Sequence, residues 1–164
     1  MITRSATRPA ARNLSLEIIS RQLESYAQRG VFRSYSRNAD TFRFYWLWNL
    51  SFHLTYDVKQ KALEFIKLFP NMVPGSDLEG ELKAFIKQAS SPDRPDHRRL
   101  DPRRLSIHYT NRRNAGSLKF LIGGNHHEYA VKQILNLVSE IFVGFLNVRY
   151  PDYMSKNFRM PEET

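Results

Sequence analysis

TFRFYWLWNLSFHLTY, residues 41–56, alternates between apolar and mostly polar positions. Every even position from Phe42 to Tyr56 is apolar, whereas the odd positions include Thr41, Arg43, Asn49, Ser51, His53 and Thr55. A period of two predicts β structure with one buried face. A helix is disfavoured because apolar side chains two residues apart would be spread around its circumference. The even-numbered side chains are therefore expected to form the core face of a sheet.

The same stretch is too long for one ordinary strand. Sixteen extended residues would span roughly 50 Å, well beyond the usual strand length. A two-residue hairpin loop would move the apolar positions from even to odd numbers, and no such shift occurs. Two interpretations remain: one long strand with a bend or bulge near Trp48-Asn49, or two strands joined by an odd-length loop.

The elements around this stretch follow from periodicity and capping residues. Residues 14–30 predict an amphipathic helix that ends at Gly30, and residues 31–37 predict a strand before a turn at 38–40. Residues 57–70 are interpreted as a helix with Asp57 as N-cap, because their apolar residues follow helical spacing. Residues 76–90 predict another helix, in which Ser76 and Glu79 have the spacing of a capping box.

The C-terminal half predicts a connection, a hairpin and a long helix. Residues 90–104 contain three prolines and form a connection, and two strands at 105–110 and 117–123 flank a loop at 111–116. A long helix follows, with Asn125 and Glu128 at capping-box spacing and apolar residues around most of its circumference. The expected fold is α+β: a single antiparallel sheet of four to five strands packed against a long apolar C-terminal helix, with further short helices.

Composition fits one globular domain. The chain has 164 residues, 41% of them hydrophobic, and no cysteine, which excludes disulfides, thiolate metal sites and iron–sulfur clusters. We expect a basic N-terminal arm at 1–13 and a single α+β domain at 14–164.

No apolar run approaches the roughly 20 residues of a membrane span, so no membrane insertion and a cytoplasmic location are expected. Organellar import is the alternative, because no acid precedes Glu17, although Pro9 would interrupt the amphipathic helix of a transit segment.

The positive charge is concentrated in one segment. The net charge is +9, and more than half of it lies in residues 91–120, where the first seven basic residues are all arginines. Arginine binds phosphate and carboxylate groups bidentately, which favours anion recognition. The predicted anion-binding residues are Arg98, Arg99, Arg103, Arg104, Arg112 and Arg113. The alternative is internal pairing, because Asp93, Asp96 and Asp101 are interleaved with the arginines.

A second candidate surface is the polar face of the sheet. Arg43, Tyr45, His53 and His108 are expected on this face, where basic and aromatic side chains together suit nucleic acid. The alternative is an ordinary solvated face. The sequence lacks the signatures of an RNA recognition motif, a helix-turn-helix, a zinc finger and a KH loop.

Catalysis and cofactor binding are weakly supported. Three histidine positions would converge if their strands were neighbours, namely His53, His108 and the pair His126-His127, but no metal-ligand spacing supports them. Gly123-Gly124-Asn125 precedes a helix, as at some phosphate sites, yet matches no phosphate-loop pattern. We predict no catalytic residue, no metal and no cofactor, since there is no nucleophile with a base and no carboxylate pair.

Three functions remain open. The favoured one is a non-catalytic binding protein for an anionic partner, nucleic acid or an acidic protein, that acts through the loop arginines. The second is an interaction or assembly subunit, including a homodimer that buries surplus apolar surface of the last helix. The third is a small enzyme of unrecognised family, which the lack of a nucleophile with a base and of paired carboxylates disfavours.

Overall fold

The structure, a computed structural model, describes residues 2–96 and 99–158, with side chains from residue 14 onwards. It is an α+β fold in which one antiparallel sheet of six strands has the order β1-β2-β3-β4-β6-β5. The strands are β1 Arg33–Asn38, β2 Thr41–Trp46, β3 Leu50–Asp57, β4 Ala62–Phe69, β5 Leu105–Arg112 and β6 Ala115–Ile122. The sheet thus has more strands than the four to five that the sequence predicts.

One helix precedes the strands along the chain, one lies between β4 and β5, and the others follow β6. Their bounds are α1 Ile2–Gln28, α2 Asp77–Lys87 with a 3₁₀ turn at Gln88–Ser90, α3 His127–Ser139, a π-helical segment at Glu140–Leu146, α4 Asn147–Arg149 and α5 Pro151–Phe158. Helix α1 includes Pro9, contrary to the expectation that this residue interrupts a helix. The short helix α5 agrees with the further helices expected in the fold.

The opening stretch forms two strands joined by an odd-length loop. Strands β2 and β3 pair with Phe44 opposite Phe52 and Trp46 opposite Leu50, and the three residues 47–49 connect them. Because the loop is odd in length, even-numbered residues stay on one face of both strands. Phe42, Phe44 and Phe52 are buried there, as the alternation predicts.

The helix expected at residues 57–70 is wrong, because Ala62–Phe69 is strand β4. Asp57 Oδ1 does accept hydrogen bonds from the backbone N–H groups of Lys59 and Gln60. These bonds close a turn between β3 and β4 rather than cap a helix, and the same local contacts serve both structures. Pairing with β3 on one side and β6 on the other makes β4 a central strand.

Strand β4 also carries a bulge. Phe65 pairs with Leu118 and Phe69 with Gly116, so four steps along β4 match two along β6. The bulged residues are Ile66, Lys67 and Leu68, and Lys67 has a φ of 55°. A bulge interrupts the period-two pattern, which explains why the apolar residues of this segment resemble a helical stripe.

The helix starts differ in how well the sequence identified them. Ser76 caps α2 by accepting from the N–H of Glu79, as predicted. Helix α3 begins at His127 with His126 as its N-cap, and no side chain caps it. The capping box expected from Asn125 and Glu128 is therefore absent.

The core lies between one face of the sheet and the helices. Phe142 of the π-helical segment packs its ring against Phe52 of β3 and Phe69 of β4, at centroid distances of 5.8 Å. His127–Arg149 is the helical run, within the described residues, that is long and apolar enough to cross a bilayer, and half of its most apolar window is buried in this protein. Core helices of this kind have the same composition as membrane spans.

Candidate nucleic-acid interface

One face of the sheet is open, and it carries all four residues that the sequence assigned to a polar face. Strand register places Arg43, Tyr45, His53 and His108 on the side opposite the core. Arg43 lies opposite His53, while Tyr45 lies opposite Ser51 on one side and Arg33 on the other. Directly opposed residues have Cβ atoms roughly 5 Å apart, so these side chains form a continuous mixed surface.

An exposed tryptophan lies in the loop at one end of the sheet. Trp48 is in the β2–β3 loop and is 40% exposed, compared with 37% for Tyr45. Leu47, Trp48 and Asn49 have φ values of 39°, 55° and 61°. Positive φ costs roughly 1–2 kcal/mol for each non-glycine residue, so this loop presents Trp48 to solvent at an energetic cost.

The hairpin arginines lie at the same end of the sheet. Arg112 is the last residue of β5, and Arg113 with Asn114 forms a two-residue turn in which both φ values are positive. This turn is tighter than the loop expected at 111–116 and is a type I′ hairpin. Antiparallel register brings this turn, Phe69 and the 47–49 loop to one end of the sheet. We call Arg112 and Arg113 the arginine tip.

The exposed basic groups at this end have no partner among the residues that the structure describes. Within the described part of the chain, the side chains of Arg33, Arg43, Arg112 and Arg113 make no hydrogen bond or ion pair. Strand spacing of about 4.8 Å puts the two hairpin ends roughly 10–15 Å apart, with β4 between them. Unpaired guanidinium groups beside exposed aromatic rings are suited to an anion that also carries flat apolar groups.

Several arginines of the 90–104 connection are bound by their neighbours. Arg94 Nη2 donates to both carboxylate oxygens of Glu140, at 3.1 and 3.0 Å. Arg99 Nη2 donates to the carbonyl oxygens of Pro92 and Arg94 and lies 3.2 Å from Asp96. Arg98 lies outside the described residues.

Arg103 and Arg104 share one acid at the opposite end of the sheet. Both contact Asp101, with N–O distances of 3.3 and 3.5 Å, and Arg104 also lies over the Tyr129 ring. The backbone N–H of Arg103 is the main cause of a lowered pKa of Asp101, followed by the Arg103 side chain. Arg103 is still 90% exposed, so binding of an external anion by this pair stays a prediction.

The histidines are not brought together. His53 on β3 and His108 on β5 share the open face but are separated by β4 and β6, a distance of roughly 14 Å. His127 lies on the core side, where it is 5% exposed and its Nε2 is 3.4 Å from the Tyr56 hydroxyl. Burial lowers the pKa of His127, which keeps the ring neutral.

The glycines before α3 have a packing role. A Cβ atom at Gly123 would lie 2.0 Å from the carbonyl oxygen of Arg103, and Gly124 has a φ of 56°. The N–H of Gly123 donates to Arg104 O, and Lys61 Nζ donates to Gly124 O. Close backbone approach and a left-handed residue therefore explain both glycines without a bound phosphate.

Glu79 is a buried carboxylate that the sequence identified only as a capping residue. Glu79 is 3% exposed and accepts hydrogen bonds from the Gly75 N–H, the Tyr109 hydroxyl and the Asn111 amide. These contacts, led by the Gly75 N–H, lower its pKa to about 2. Since every contact joins parts of one core, we interpret the cluster as structural. Only the Ser76–Glu79 spacing pointed to it.

The apolar breadth of the last helix is mostly accounted for within one chain. Its large apolar residues are buried, apart from Val143 and Val148. The surplus that suggested a homodimer is therefore small among the described residues.

Comparison of the chain with protein-family models, curated proteins and solved structures gives no match. The geometry of the open face is therefore the basis for assigning a function.

Proposed function

We propose that the protein is a non-catalytic binding protein for single-stranded nucleic acid. The observation that carries this proposal is the co-location, at one end of the sheet, of exposed Tyr45 and Trp48 with arginines that have no partner among the described residues. Bases stack on aromatic rings, and arginine pairs with phosphate. The net charge of +9 favours association with a polyanion.

The proposed binding surface uses only some of the arginines that the sequence predicts to bind anions. The arginine tip and Arg43 replace Arg99, Arg103 and Arg104 as the main phosphate contacts. The latter three already have acidic or carbonyl partners, which an incoming phosphate would have to displace. An acidic protein would satisfy the arginines but leave Tyr45 and Trp48 without stacking partners.

A salt titration of binding to a fluorescent oligothymidylate tests the proposal. Removing one arginine–phosphate interaction should reduce the slope of log affinity against log salt by about 0.7 for a single strand. Arg112→Gln with Arg113→Gln should therefore flatten the slope by roughly 1.4. The matched control, Arg103→Gln with Arg104→Gln, removes the same charge from the other end and should change the slope less.

Three results would overturn the proposal. Absence of salt-dependent binding by the unmodified protein would exclude it. A larger effect of the control pair would return the site to the 90–104 connection. Equal affinity for polyglutamate of the same charge would favour an acidic protein as the partner, because polyglutamate offers no bases to stack.

A further inference from the structure

Strands β3 and β4 pair over only half of their length. Their ladder runs from Leu54 opposite Phe65 to Asp57 opposite Ala62, while β3 extends back to Leu50. Beyond this ladder, Leu50–His53 have no paired residue on β4. The two central strands therefore separate at the tryptophan-bearing end of the sheet.

The bulge in β4 lies beside this gap. Ile66, Lys67 and Leu68 leave the ladder with β6, and the Lys67 N–H donates to the Ser117 hydroxyl at 2.8 Å instead of to a strand carbonyl. Lys67 and Ile66 are exposed at the mouth of the gap. Bulges next to binding sites commonly re-aim side chains in this way.

A third backbone irregularity lies beneath the gap. The π-helical segment Glu140–Leu146 places Phe142 at its floor, where the ring contacts Phe52 and Phe158 at 5.8 and 5.3 Å. π-helical segments are rare and often occur at functional sites. The strand separation, the bulge and this segment each depart from the commonest secondary structure, and residues of all three line one cleft.

The cleft has an aromatic interior and a basic rim. Its volume is about 170 Å³, and Phe52, Phe65, Phe142 and Phe158 line it together with Ser51, His53, Ile66 and Lys67. Pockets for drug-sized ligands measure roughly 300–1,000 Å³, so this cleft is suited to a single planar ring system. His53, which lines the cleft, lies opposite Arg43 on β2.

We propose that this cleft receives one nucleobase of the bound single strand. The base packs against Ile66 and Phe158, the apolar cleft residues that keep exposed surface, while the backbone of Leu50–His53 meets its polar edge. Lys67 and Arg43 contact the flanking phosphates. This inference rests on the proposed function, since it names a base-binding subsite within the same open face.

Two ligands of equal charge test the inference. One is an oligothymidylate, and the other is an abasic deoxyribose-phosphate oligomer of the same length. We expect the unmodified protein to prefer the oligothymidylate by tenfold or more, the effect of at least one stacked base. Ser51→Leu, which narrows the mouth of the cleft, should reduce this preference by about fivefold.

A matched control is available on the same face. Ser51 Oγ lies 3.4 Å from His53 Nε2, and Ser106 Oγ lies 3.3 Å from His108 Nε2 on β5. Ser106→Leu makes the same change away from the cleft and should keep the full preference. An unchanged preference in Ser51→Leu would overturn the inference but leave the proposed function intact. Failure to bind either oligomer would instead overturn the proposed function.

A measurement on the unmodified protein makes the test independent of folding of the variants. Photo-cross-linking with an oligonucleotide that contains 4-thiothymidine, followed by peptide mapping, should label residues 50–53 or 65–68. Cross-links confined to Tyr45 and Trp48 would show stacking on the open face alone and would overturn the inference.

Discussion

Glu79 shows how a single residue ties distant segments together. Its carboxylate joins the 70–76 loop, helix α2 and strand β5 through hydrogen bonds to Gly75, Tyr109 and Asn111. An ionised group at this depth is stable only because these donors replace water. Burial and the Glu79 carboxylate together raise the pKa of Tyr109, which keeps the phenol protonated as a donor.

Acid should destabilise the protein through Glu79. The pKa falls from 4.5 to about 2 on folding, so its stabilisation is present above pH 4.5 and is lost as the pH falls towards 2. The expected contribution to the free energy of unfolding is about 3 kcal/mol. Glu79→Gln should lower the free energy of unfolding by about 2–4 kcal/mol at pH 7. The variant should also lose the acid-induced fall in stability that protonation of Glu79 causes.

Urea denaturation at several pH values measures this effect. Glu81→Gln, in the same helix, removes an exposed ion pair with Arg149 and is expected to cost less than about 1 kcal/mol. An acid dependence between pH 4.5 and 2 that is the same in Glu79→Gln as in the unmodified protein would contradict the assignment.

At the scale of elements, β4 and the β2–β3 loop show what local patterns encode. Period two in residues 41–56 identified a sheet face correctly, because that pattern persists across an odd-length loop. In β4 the bulge at Ile66–Leu68 replaces period two by a spacing that resembles a helix. Only pairing with both β3 and β6 selects the strand, and β6 lies far along the chain from β4.

We expect the strained β2–β3 loop to contribute to ligand binding and not to the stability of the fold. In Trp48→Gly, the positive φ no longer costs energy, which stabilises the folded chain, but glycine raises the entropy of the unfolded chain. Because the two effects oppose each other, we expect a change below about 1 kcal/mol in the free energy of unfolding. Affinity for oligothymidylate should fall at least fivefold, because one stacking ring is removed. Denaturation and binding titrations measure the two effects.

Trp46 provides the contrast for this variant. Its ring lies against Phe32 and Phe52, at 5.6 and 5.3 Å, on the core face. Trp46→Gly should therefore cost about 3 kcal/mol or more. If Trp48→Gly also cost more than about 2 kcal/mol, the loop would be a structural feature rather than a binding one.

For the whole molecule, the two ends of the sheet differ in how their charges are used. Arg103 and Arg104 share Asp101 at one end, whereas the arginine tip and Arg33 have no described partner at the other. A long-range field from the net charge of +9 steers polyanions to the protein, and the unpaired end offers the contacts that need least reorganisation.

The free protein should be monomeric. Large apolar residues of α3 and the π-helical segment are buried within one chain, and only Val143 and Val148 remain exposed in the described part of that helical run. Isolated exposed valines do not provide the apolar patch of a stable dimer. Sedimentation equilibrium should give 19.3 kDa, and a mass of twice that value at micromolar concentration would contradict this expectation.

The sequence by itself determined the α+β class, the buried even face of residues 41–56, the cap of α2 and the polar face with Arg43, Tyr45, His53 and His108. These depend on periodicity and on contacts between near neighbours, which a single sequence displays directly. The strand β4, its bulge, the cleft beside it and the choice between paired and unpaired arginines were decided by the tertiary structure. Each of these features depends on which distant segment of the chain packs beside it, and local residue patterns do not encode that pairing.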